Sequence, residues 1–226
     1  MEVFMRMHLK QYTEPIFARL DDYRARLIEH PFLTALDHPV PILHEFAFHQ
    51  YADSILWIPM LAQMRGKALR SQRLRDAIAD NIGHEAGLHA ISHVQLAVDL
   101  MRGLGGVRVD GAVLARSAEL WLSDEFAAMA EPEIAGWLLV AETLVPVMFA
   151  ALEPQFARLG CNTRYFTEHV AVDSDEHATW MAEAVEDVIE LYGPSAAPAI
   201  EAGMADAWQE TCEVPDQLWR SRCGSP

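Results

Sequence analysis

The chain has 226 residues, 51% hydrophobic and 22% charged, and 33 acidic side chains against 17 Lys and Arg leave a formal charge of −16. The length suits one domain built on a single large core. The charge excludes sequence-general nucleic-acid binding, which needs clustered Lys and Arg against the phosphate backbone. Three cysteines, Cys161, Cys212 and Cys223, form neither a disulfide framework nor a zinc-ligand set. The N-terminal MEVFMRMHLKQYTEP has no uninterrupted apolar run before a small-residue cleavage site, so no signal peptide and a reducing, cytoplasmic setting are expected.

Hydrophobic residues recur at helical spacing almost throughout, which predicts an all-α protein. A first helix is expected from Thr13, with Glu14 and Pro15 at its start, to about His30. A second follows the prolines at 39 and 41 and runs through HEFAFHQYADSILWIPMLAQM, with Pro59 expected to kink or end it and Gly66 to break it. Ser71 caps a long third helix that reaches Gly105-Gly106, loosened at Gly83 and Gly87. Further helices are expected over Asp110 to about Met129, Glu131 to Leu159, Asn162 to Tyr192, and Ala196 to about Arg220 with an interruption near Pro215. The apolar stretch from Ile134 to Leu152 carries Glu142 in its middle and reads as a buried helix, not a membrane span. Without repeats or linkers, residues 1–226 read as a single bundle of seven helices.

Three segments carry candidate chemistry. His169, Asp173 and His177 recur every four residues, and each step rotates only about 40° on a helix, so they share a face. A His-x3-acid-x3-His pattern arises by chance in roughly 6% of chains of this composition, so it is informative. Glu176 lies about 20° from His169 on the other side and competes with Asp173. Glu142 sits alone in an apolar helix, where a buried carboxylate needs a cation or a hydrogen-bonding partner. On the third helix, His89 at +4 and His93 at +8 share a face with Glu85, whereas His84 points about 100° away.

Taken together, Glu85, His93, Glu142, His169, Asp173 and His177 supply three imidazoles and three carboxylates without a thiolate. Such a mixed N/O set suits iron or manganese, and six donors suit two metals better than one. Open coordination positions would admit dioxygen and substrate, which points to redox chemistry.

These motifs resemble the heme-oxygenase-like diiron oxidases and oxygenases, seven-helix proteins that bind two irons and no haem. Asn81-Ile-Gly-His-Glu85-Ala-Gly87 with Ser92-His93-Val-Gln-Leu resembles that family's Glu-then-His element, Glu142-Thr-Leu-Val-Pro its lone-Glu element, and His169-Val-Ala-Val-Asp173-Ser-Asp-Glu-His177 its closing element. The resemblance covers about residues 30 to 195. Two intervals are longer than in the best-known members and resemble a branch with a His-x3-Asp-x3-His element. The choice between Asp173 and Glu176, and between His93 and His89, stays open, with Asp173 and His93 preferred. The resemblance implies a centre cycling between ferrous and ferric iron, dioxygen as co-substrate, an external electron donor and a homodimer. It also implies oxidation of a small amine, amino acid or carboxylic acid by N-oxygenation, desaturation or C–C cleavage.

His49 and Tyr51 are candidates for lining the substrate pocket, whereas Phe46, Phe48, Trp57, Met60 and Met64 read as core packing. Two competing readings are a metal-free thiaminase-like or pyrroloquinoline-quinone-synthase-like enzyme on the same fold, and a non-catalytic helical binding module. The thiaminase-like reading requires a cysteine beside Glu142.

Overall fold

The computed structural model describes residues 2–88, 91–107, 111–121, 123–172 and 177–224. Among them the chain forms eleven α-helices and no strand. These are α1 (Glu2–Ile28), α2 (Pro31–Thr34), α3 (Val40–Lys67), α4 (Gln72–Glu85), α5 (His93–Gly103), α6 (Gly111–Trp121), α7 (Asp124–Ala128), α8 (Glu131–Arg158), α9 (Arg164–Val172), α10 (Ala178–Tyr192) and α11 (Ala197–Cys223).

The all-α expectation holds, but the count of seven does not. The expected third and fourth helices each appear as two, α4 with α5 and α6 with α7; the expected sixth is described as α9 and α10 on either side of residues 173–176, and the four-residue α2 is additional. Capping side chains account for two of the new starts: Ser92 accepts from Gln95 N at the head of α5, and Ser123 from Phe126 N at the head of α7. The first helix begins well before Thr13, with Pro15 inside it. Pro59 and Pro215 likewise lie within α3 and α11 and end neither. Packing along these long helices outweighs the loss of one hydrogen bond at each proline.

Helix α8 is the axis of the molecule. Its composition is apolar enough to cross a bilayer, yet 72% of its apolar window is buried inside the bundle, so it is a core helix. Glu131 anchors its start, accepting hydrogen bonds from Arg70 N, Ser71 N and the Tyr192 hydroxyl, which ties the α3–α4 turn and the end of α10 to one point. Against α11 the two backbones nearly touch: a Cβ on Gly136 would lie 2.0 Å from the Ile200 carbonyl oxygen, and one on Gly203 would lie 2.0 Å from that of Glu133. Below Glu142, the rings of Phe46, Phe149, Phe156 and Phe166 pack with centroids 4.8–6.5 Å apart. Burial of each contributes roughly 1.5–3 kcal/mol.

Candidate metal centre

Helix α4 ends at Glu85 because Gly87 takes up a left-handed conformation, φ 74°, with the Gly87 and Leu88 amides donating back to His84 O and Gly83 O. A Cβ on Gly87 would lie 2.4 Å from Ser92 N, so the reversal closes tightly only with glycine. In the uninterrupted helix expected from the sequence, Glu85 and His93 would stand about 12 Å apart along the axis. Across the reversal, His93 Nδ1 lies 2.8 Å from Glu85 Oε2. The shared-face geometry is therefore corrected, although the two residues do meet.

His169 joins them from α9. Its Nδ1–H donates to the Tyr165 carbonyl oxygen at 2.6 Å, which fixes the ring and leaves Nε2 as the lone-pair nitrogen. Its ring centroid lies 4.1 Å from that of His93. One donor atom from each of Glu85, His93 and His169 lies within 4.8 Å of the others, and all three residues are buried. Burial pushes the His169 pKa down to about 3 and that of His93 to about 4, so both imidazoles are neutral at physiological pH. The same burial raises Glu85 to about 7, opposed by His169 and reinforced by Glu142.

Beside this group, Glu142 engages both of its oxygens. Asn81 Nδ2 donates to Oε1 at 2.5 Å, and His177 Nδ1 lies 3.0 Å from Oε2. His177 Nε2 lies 2.9 Å from His84 Nδ1, and the two rings stack with centroids 4.9 Å apart. The last turn of α4 thus faces two ways, with Glu85 toward α5 and α9, and Asn81 and His84 toward Glu142 and His177. Pro146, four residues after Glu142, has no N–H to donate to the Glu142 carbonyl, which loosens α8 at the position of its buried acid.

Of the sequence candidates, Glu85, His93 and His169 converge, and Glu142 and His177 pair next to them. Asp173, Glu176 and His89 lie outside the described residues. His49 lines an outer recess together with Asp53, Arg116 and Glu210. Tyr51 packs against Phe48 and lines neither described cavity, because it lies about 100° around α3 from Gln50. Around Glu142 and His177, His84 and Asn81 are side chains that sequence reasoning did not assign to the site. Their only signal is an i, i+3 spacing that gives one stripe on α4.

A cavity of about 120 Å³ opens on the centre, lined by Glu85, Glu142 and His169 and, on α3, by Gln50, Asp53, Ser54 and Trp57. Phe46 and Trp57, expected to be packing residues alone, line it as well, whereas Met60 and Met64 are core. Two further carboxylates reach it. Asp53 accepts from Trp121 Nε1 at 3.0 Å and Glu210 from Trp137 Nε1 at 2.9 Å. Burial raises Asp53 to about 6; it raises Glu210 to about 8, with Asp206, Glu213 and Asp53 adding to the effect.

A carboxyl whose folded pKa is raised holds its proton longer in the native state, so stability is full below the unfolded value, 4.5 for Glu210, and is lost as pH rises through about 8. Glu210→Gln is expected to flatten the urea-denaturation midpoint over that window and to leave it unchanged near pH 4. A parallel shift at every pH would show that Glu210 is not held protonated.

A helical bundle with a buried cluster of carboxylate and neutral imidazole donors defines an all-α protein equipped to hold a transition metal. The chain belongs to the family of iron-containing redox enzymes, whose family model matches residues 41–210. No curated protein matches the chain.

Proposed function

We propose that this chain is a dioxygen-activating diiron oxidase or oxygenase of small organic substrates. Glu85, His93 and His169 hold one iron; Glu142 and His177 hold the second, with Asp173 contributing to the pair. Glu176 and His89 are the alternative ligands, and manganese is an alternative occupant. The observation that carries the reading is the contact between His93 and Glu85. His93 Nδ1 approaches Glu85 Oε2 to 2.8 Å yet makes no hydrogen bond among the described residues, as expected for two lone pairs converging on a common cation.

Bound iron supplies redox equivalents and open positions for dioxygen. The chain's own residues do the rest. Tyr165 orients His169 through its carbonyl, and Asn81 holds the Glu142 carboxylate in place. Phe149, whose ring centroid lies 4.9 Å from that of His169, and Met148 present an apolar wall that keeps bulk water from the substrate. An external electron donor, a homodimeric assembly and a cytoplasmic setting belong to the same proposal. None of the three free cysteines lines the described cavities, which weighs against the thiaminase-like alternative.

Anaerobic titration of the apoprotein with ferrous iron is expected to end at about two irons per chain. Rapid mixing with oxygen is then expected to give a transient visible absorption that is absent in Glu142→Ala and His177→Ala. No specific binding, in variants that fold as the parent does, would sink the reading.

A further inference from the structure

We propose that the cavity binds its substrate through a cationic amine, held by Asp53 and Glu210 against a wall of tryptophans. The inference rests on the proposed function only in taking the bound molecule to be the one oxidised at the adjoining centre.

Trp57, Trp121 and Trp137 meet with ring centroids 5.5–5.8 Å apart and line the same cavity as the two acids. Their indole N–H groups on Trp121 and Trp137 are committed to Asp53 and Glu210. Each carboxylate therefore has a neutral donor, and neither forms an ion pair among the described residues. An amine entering between them would bring a positive charge that favours the ionised form of both acids, Glu210 giving up the proton that burial otherwise retains, and the tryptophan rings would add cation–π attraction.

Gln50, one turn before Asp53 on α3, gives an independent indication of a polar ligand. It is only 8% exposed and lines the cavity, and its side-chain amide has no hydrogen-bond partner among the described residues. Its amide therefore faces the cavity with its carbonyl free to accept a ligand N–H.

A carboxylate-headed substrate fits badly. Among the described residues no Lys or Arg lines the cavity; Arg116 lines the neighbouring recess, which Asp53 and Glu210 also border, and its guanidinium is bonded to Gln217. Trp137 precedes Glu142 by five residues on α8, about 7.5 Å of helical rise. An elongated amine anchored at Glu210 can therefore extend its apolar part toward Glu142 and His169.

The test uses hexylammonium, hexanol and hexanoate, followed by tryptophan fluorescence and calorimetry on the full chain, both as apoprotein and loaded with ferrous iron. Hexylammonium is expected to bind at least about tenfold tighter than the other two, and Glu210→Gln and Asp53→Asn each to weaken it by about tenfold or more. Gln50→Leu, which leaves both acids intact, is expected to weaken it by a smaller factor. Hexanoate binding as tightly as hexylammonium, or hexylammonium binding unchanged in Glu210→Gln, would overturn the proposal. Because binding is read without iron or oxygen, amine binding by a chain that takes up no iron would overturn the iron reading alone. Iron uptake by a chain without amine preference would overturn this one alone.

Discussion

In Glu85→Gln, ferrous iron is expected to stop raising the melting temperature while the apoprotein becomes more stable at pH 7 and above. Iron at 100 times its dissociation constant would stabilise the parent by about 2.7 kcal/mol. For a chain of this size that is roughly 5–10 °C. Removing one of the three converging donors should eliminate most of that shift. The apoprotein moves the other way because burial raises Glu85 from 4.5 to about 7. Ionisation is thus penalised in the native state over that window, and a neutral amide of the same shape escapes the penalty. Below about pH 4.5 the gain should vanish. His169→Ala is expected to lose the iron response too, but with a less stable apoprotein, since it leaves a void beside Phe149. Differential scanning calorimetry with and without ferrous iron separates these signs. An iron shift retained in Glu85→Gln would remove Glu85 from the ligand set.

The second large effect is in the scaffold. Gly136→Ala and Gly203→Ala are each expected to destabilise the protein by about 3 kcal/mol or more, because the new Cβ would meet a backbone carbonyl oxygen at 2.0 Å and α8 and α11 would have to part. Helix propensity alone predicts the opposite sign, a gain of about 1 kcal/mol for Gly→Ala. Gly66, exposed in the last turn of α3 with nothing within 4 Å of a built Cβ, serves as the control and should show that gain. Chemical denaturation of the three variants checks the ordering. Equal behaviour at all three positions would mean that α8 and α11 are not in backbone contact.

The sequence reveals the fold class and the chemistry of the site more readily than its geometry. Glu142 is conspicuous because a carboxylate in an apolar helix demands a partner, and it lies buried beside Asn81 and His177. Glu85 and His93 are visible as a pair, but their spacing suggests one continuous helix face. The operative feature is the left-handed Gly87, a conformation that glycine permits and does not compel. His84 is illegible from its own helix because its partner, His177, comes from 93 residues further on. The cavity acids are hidden for a different reason. Asp53 and Glu210 look like ordinary surface positions in an acidic chain, and only the packing of α3 against α6 and of α11 against α8 brings them to Trp121 and Trp137.

The reversal at Gly87 also bears on how a metal could enter so enclosed a place. Glu85 closes α4 and His93 opens α5, helices of 14 and 11 residues, whereas α3, α8 and α11 run to 27 or 28. Opening a short helix end exposes few apolar contacts, so it takes much less free energy than parting the long ones. Fraying at the facing ends of α4 and α5 would separate two donors from the rest while the α8–α11 core stays shut. An ion seated there would act as a clasp on that hinge, and its residence time would be governed by the turn and not by unfolding of the bundle.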